Sequence, residues 1–125
     1  MSKDKIQVQN VVGPVNIKSR LDRVTQMVNT APSVKDTDRE TLSKLISELK
    51  LALSAVSEKR PEDAERVAAT VETVTAELGK TKPNQNFLNI SVEGLKQAAK
   101  AVEDIAPSVI AVAGRIAAFV AGLAL

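Results

Sequence analysis

The stretch TLSKLISELKLALSAV, residues 41–56, carries the clearest periodicity in the chain, with Leu42, Leu45, Ile46, Leu49, Leu53 and Val56 returning to one side of a helix every three or four residues. Lys44, Glu48 and Lys50 fall outside that stripe, so the stretch reads as an amphipathic helix that buries an aliphatic face. Just upstream, Thr37 and Glu40 have the spacing of a capping box, in which each side chain satisfies an orphan amide at a helix start. Downstream, Pro61 suits the first turn of another helix, Glu62 and Asp63 lie near its positive dipole end, and Ala64, Val67, Val71, Val74 and Leu78 share one face. Gly79 is placed to close that helix in the left-handed conformation.

Toward the N-terminus, Ile17, Leu21, Val24 and Val28 are spaced by four, three and four residues, which predicts a helix ending near Asn29. Ala31-Pro32-Ser33 then breaks it. Toward the C-terminus, residues 80–86 are rich in turn formers and read as a loop. Ser91 is expected to cap the next helix, whose buried face includes Leu95, Ala98, Ala99, Val102 and Ile105, while Phe87, Leu88 and Ile90 cover one end of the core. Pro107 marks either a kink or the start of a final helix over residues 107–125.

Before the helices, Ile6, Gln7, Val8 and Gln9 alternate apolar with polar, Asn10, Val11 and Val12 continue the β-prone run, and Gly13-Pro14 interrupts it. Val15 and Ile17 resume the alternation around Asn16. The expected fold class is therefore all-α, a compact bundle of four or five helices over residues 17–125, preceded by a short β-prone arm over residues 1–16.

A chain of 125 residues fits one domain. It contains no Trp, no Tyr and only Phe87 and Phe119, so its core must be assembled from Ala, Val, Leu and Ile, a composition that favours closely packed helices. Seventeen bases are dispersed among fifteen acids, and a net charge of +2 is no field for attracting nucleic acid, which is not expected as a partner. The opening MSKDKIQVQN has charge but no apolar run of the secretory type, which places the expected location in the cytoplasm.

The absence of His removes the usual neutral-pH general base and the commonest neutral metal ligand, and the absence of Cys removes thiolate chemistry. Asp36, Asp38 and Glu40, like Glu58, Glu62 and Asp63, coincide with helix starts or connections, where acids serve capping and solvation. Gly13 and Gly114 belong to no phosphate-binding or dinucleotide fingerprint, and the acids do not form a calcium loop. The expectation is a non-enzymatic protein with no catalytic residues, no metal and no cofactor.

Two features point to association instead. The segment APSVIAVAGRIAAFVAGLAL, residues 106–125, has Arg115 as its single charged side chain. On a helix, Gly114, Ala118 and Gly122 line up as a small-residue edge that lets another backbone approach closely, with Phe119 in the same segment. Such a helix is either a buried element of a bundle or a conditional membrane segment; Arg115 opposes insertion by about 2.5 to 3.5 kcal/mol. A salt bridge from Arg115 to Glu103 or Asp104 would suit the buried case. The second feature is IQVQNVVGPVNI, residues 6–17, where amides sit among β-branched residues without charge, as in segments that stack into cross-β.

IQVQNVVGPVNI together with NISVEGLKQAAKAVEDIAPSVIAVAGRIAAF, residues 89–119, resembles bacterial conflict-system proteins in which a β-prone motif precedes a helical effector-associated domain. The first part is similar to RHIM-like amyloid-signalling motifs. That resemblance implies a self-assembling signalling module in a bacterial defence or regulated-death pathway, with an effector or receptor protein as partner and recruitment to the inner membrane in a membrane-active form. Residues 6–13, Val15 and Ile17 would mediate assembly as a homo-oligomer, and Gly114, Arg115, Ala118, Phe119 and Gly122 would serve helix packing or membrane contact. The alternative is a soluble adaptor whose C-terminal helix stays buried and whose N-terminal arm binds a partner.

Overall fold

The computed structural model describes residues 14–32 and 34–123, which form five α-helices and, among the described residues, no strand. These are α1 (Pro14–Asn29), α2 (Asp36–Lys59), α3 (Pro61–Leu78), α4 (Gln85–Lys100) and α5 (Pro107–Ala121). The chain is an all-α bundle, with α2, α3, α4 and α5 closing a ring of four in which each packs on its neighbours. α1 lies in the groove between α2 and α3. Opposed pairs fix its direction: Asp22 meets Lys50 and Asn29 meets Ser43, so α1 runs antiparallel to α2.

The periodic positions are the core. Ile17, Leu21, Val24 and Val28 of α1 are buried, as are Leu42, Leu45, Ile46, Leu49, Leu53 and Val56 of α2 and Ala64, Val67, Val71, Val74 and Leu78 of α3. Ala98, Ala99 and Val102 are also buried, and Val109, Val112, Ile116 and Val120 form the inner face of α5.

Several helix ends differ from the expectation, each for a local reason. α1 begins at Pro14, whose fixed φ and missing N–H suit a first helical position, so residues 14–16 are helical and Ile17 is a core residue. The β-prone arm expected over residues 1–16 is thus shortened by this helical start, and its remainder, residues 1–13, lies outside the described residues. α2 begins at Asp36, which puts Thr37 inside the helix; Lys35 stands at the cap without a side-chain bond, while Asp36 and Asp38 complement the dipole. Gly79 ends α3 in the right-handed region (φ −74°, ψ −8°), its N–H bonding to the Thr75 carbonyl at 3.0 Å, so no left-handed cap is needed. α4 starts well before Ser91, because Asn84 accepts the Phe87 N–H at 2.9 Å as its N-cap. Ser91 is buried in mid-helix. Leu88 is buried, but Phe87 (43%) and Ile90 (69%) are exposed, since the earlier start of α4 rotates them outward.

Polar side chains anchor the junctions. Arg39 donates to the Ala31 carbonyl at 2.7 Å and pairs with Asp36 at 2.8 Å, tying the end of α1 to the start of α2. Pro61 cannot continue α2, leaving Arg60 as the single residue between α2 and α3. Its guanidinium reaches across to the Ala101 carbonyl (3.2 Å) and the Asp104 carboxylate (2.8 Å) in the α4–α5 connection. Glu77, buried at the end of α3, accepts the Asn84 N–H at 2.7 Å and pairs with Lys80 at 2.9 Å. Between α1 and α3, Arg20 joins Glu65 (2.8 Å) and Glu72.

Two predictions follow from this architecture. Leu53 is fully buried in α2, so Leu53→Ala is expected to cost about 2 to 5 kcal/mol of unfolding free energy in a urea titration; a change within a few tenths would contradict the core assignment. The Asn84 amide, then Lys80, hold the Glu77 carboxyl below its ordinary value of 4.5. A depressed folded-state value contributes stability that is complete above the unfolded value and is lost as pH falls through the folded one. Melting temperature should therefore drop below pH 4.5, and Glu77→Gln should flatten that acid limb; parallel curves for the two proteins would refute the role of Glu77.

Candidate association surface

α5 is a two-faced helix of short side chains. Val109, Val112, Ala113, Ile116, Ala117 and Val120 face the core because they recur at three- and four-residue spacing, and the intervening Ser108, Ala111, Gly114, Ala118, Ala121 and Gly122 face outward. That outward face has no charge except Arg115, whose guanidinium is drawn to one side by Glu48 of α2 at 2.8 Å. Arg115 therefore bridges α5 to α2, rather than to Glu103 or Asp104 as the sequence suggested; Asp104 is engaged by Arg60.

On the other flank α5 meets α4 across a groove of about 610 Å³. Val92 and Ala99 of α4 and Ile110 and Ala117 of α5 give it an apolar floor and walls. Gly114, Ala118 and Ala121 form the α5 side, where the lack of bulk keeps the groove open: a Cβ added at Gly114 would meet nothing within 4 Å. The α4 rim carries Asn89, Glu93, Lys96 and Lys100, with Glu93 and Lys96 paired at 3.1 Å.

The small-residue edge read from the sequence thus exists, but it faces out of the bundle. Gly114 and Ala118 line the groove; Gly122 lies beyond it as the C-cap of α5, donating to the Ala118 and Phe119 carbonyls, and Ala121 takes its place. A spacing of three from Ala118 to Ala121 was the available signal. Phe119 is partly buried against the core and Val120 is buried. Of the N-terminal set, Ile6, Gln7, Val8, Gln9, Asn10, Val11, Val12 and Gly13 lie outside the described residues, Val15 is in α1, and Ile17 is withdrawn into the core. The structure therefore does not bring Ile17 together with the C-terminal residues on one surface.

Among the described residues, no group of three or more His, Cys, Asp or Glu is placed to hold a metal ion, and no helix is long and apolar enough to cross a membrane. α5, with 15 residues, spans about 22 Å against a hydrocarbon core of about 30 Å. What the arrangement offers chemically is an apolar trough with a mixed-charge rim.

Gly114 is exposed in mid-helix with open space around it, so Gly114→Ala should stabilise the chain by about 0.5 to 1 kcal/mol in dilute solution, measured by chemical denaturation; destabilisation would mean that this edge is packed within the bundle. The chain matches no protein-family model, no curated protein and no solved structure.

Proposed function

We propose that the chain is a non-enzymatic self-assembly module, and that its outward α5 face beside the α4–α5 groove is an association surface. The observation that carries this reading is the exposure of Gly114, Ala118 and Ala121 as a charge-free edge over an apolar floor. Small side chains on an exposed helix allow a second backbone to approach closely and lose little rotamer freedom on contact. The resemblance to bacterial conflict-system proteins gives the cellular setting we assign, a defence or regulated-death pathway with an effector or receptor downstream. Residues 6–13 would supply a second assembly element.

A soluble adaptor is the second reading, and the burial of Val109, Val112, Ile116 and Val120 favours it over a membrane-active form. A membrane-active form requires α5 to leave the bundle. That step would expose this whole inner face and separate Arg115 from Glu48.

Static light scattering of the full chain over a concentration series tests self-assembly. A mass above the 13.3 kDa of one chain is expected, falling when Ala118→Glu places a charge on the groove wall and when residues 1–13 are removed. A monomer mass at every concentration would overturn the proposal, and an unchanged mass in either variant would remove that element from it.

A further inference from the structure

We infer that the notch between α1 and α2 around Leu51 is the seat of the chain's own residues 6–12, which double back past Gly13 so that Val12 covers Ile17. The inference goes beyond the self-assembly reading and stands whether or not the chain associates.

Leu51 is 75% exposed, more than any other large apolar side chain among the described residues. It lines a notch of about 180 Å³ with Ile17 and Lys18 of α1 and Lys50, Ser54 and Ser57 of α2. That volume falls below the roughly 300 to 1,000 Å³ of small-molecule pockets and suits aliphatic side chains rather than a ligand. So small a contact does not repay the translational and rotational freedom that a separate protein would lose on binding. A segment joined to α1 has already been brought there by the covalent chain.

Chain length and register fit this occupant. Asp22 opposite Lys50 and Asn29 opposite Ser43 set Leu51 level with Leu21, about two turns, or roughly 10 Å, from Pro14. Extended chain covers that distance in about three residues, and thirteen precede Pro14. Gly13 supplies the backbone freedom that a reversal just before the helix needs. The residue before a helix's N-cap often packs on the fourth helical residue, and with Pro14 first in α1 that pair is Val12 and Ile17.

Chemistry selects the α2 flank of α1 over the α3 flank. On the α3 side Arg20 pairs with Glu65 and Glu72, and Arg23 with Glu72; a segment without charge would strip water from these ions and give nothing in return. On the α2 side Lys50 is turned to Asp22 at 2.7 Å, and the Ser54 hydroxyl donates to the Lys50 carbonyl at 3.4 Å. The Ser54 oxygen can then accept from the side-chain amide of Gln7, Gln9 or Asn10, beside valines that cover Leu51 and Ile17. Seated there, the segment is withheld from other copies, so this contact governs how readily residues 6–13 become available for assembly.

Because the chain has no Cys, a nitroxide on Gln9→Cys marks the segment alone. In NMR spectra of the full chain it is expected to remove most of the amide signal of Leu51 and Ser54 while sparing Glu65, which flanks α1 on the α3 side. Leu51→Glu, at an exposed position that the fold tolerates, should restore the Ser54 signal. Isotope-labelled chain mixed with unlabelled nitroxide-bearing chain should keep its Leu51 signal, since the contact forms within one molecule. No loss at Leu51, equal loss at Leu51 and Glu65, a loss indifferent to Leu51→Glu, or an equally large loss in the mixture would each overturn the inference. A monomer mass at every concentration would remove the self-assembly reading and leave this one standing.

Discussion

The whole structure depends on a core that has no fully buried aromatic side chain. With Phe87 exposed and Phe119 only partly covered, density must come from Leu, Ile, Val and Ala, and such short side chains fill space only when helix axes lie close together. α2 and α3 bear this constraint most directly: they touch each other, and every other helix rests on one or both. Leu49, Leu53, Val56, Ala64, Val67 and Ala68 have no measurable exposure. Loss of any one leaves a void that no neighbouring ring can swing in to fill.

Close packing in turn dictates short connections, and these are held by polar side chains that answer backbone groups at helix ends. Arg39 takes the Ala31 carbonyl, Arg60 the Ala101 carbonyl, and Glu77 the Asn84 amide. Exposed ion pairs contribute little by themselves, about 0 to 1 kcal/mol each. The value of these three lies in satisfying donors and acceptors that a terminating helix leaves without intrahelical partners. Arg60 does so between two distant corners, which joins the α2–α3 turn to the α4–α5 turn.

The helical stripes were legible because burial imposes a period on sequence: the core faces of α1, α2 and α3 can be read off Ile17, Leu21, Val24, the Leu42 to Val56 series and the Ala64 to Leu78 series. Helix ends were less legible. Thr37, Ser91 and Gly79 each have the chemistry of a cap, but competing signals nearby won: Asp36 began α2 earlier, Asn84 began α4 earlier, and Gly79 kept right-handed geometry. The small-residue edge was visible on a helical wheel, but its direction was not. Glycine and alanine are equally at home against a neighbour and against water, so only the placement of Val112, Ile116 and Val120 toward the core shows that Gly114 and Ala118 look away from it. The partner of Arg115 was beyond reach for a similar reason, since Glu48 is remote in sequence and its proximity is a product of the ring closure.

α1 sits over the seam of α2 and α3, while the α4–α5 trough opens on the opposite side of the ring. Occupancy of the trough leaves the point where α1 begins unobstructed. A molecule with a single sticky side stops growing once a pair has formed, but one with contact points back to back has a valency of two and extends into a row. For a chain that self-assembles as proposed, the placement of α1 across the ring from the trough is what would set closed pairs against open-ended arrays, and helix order, rather than any side chain at either end, would make that choice.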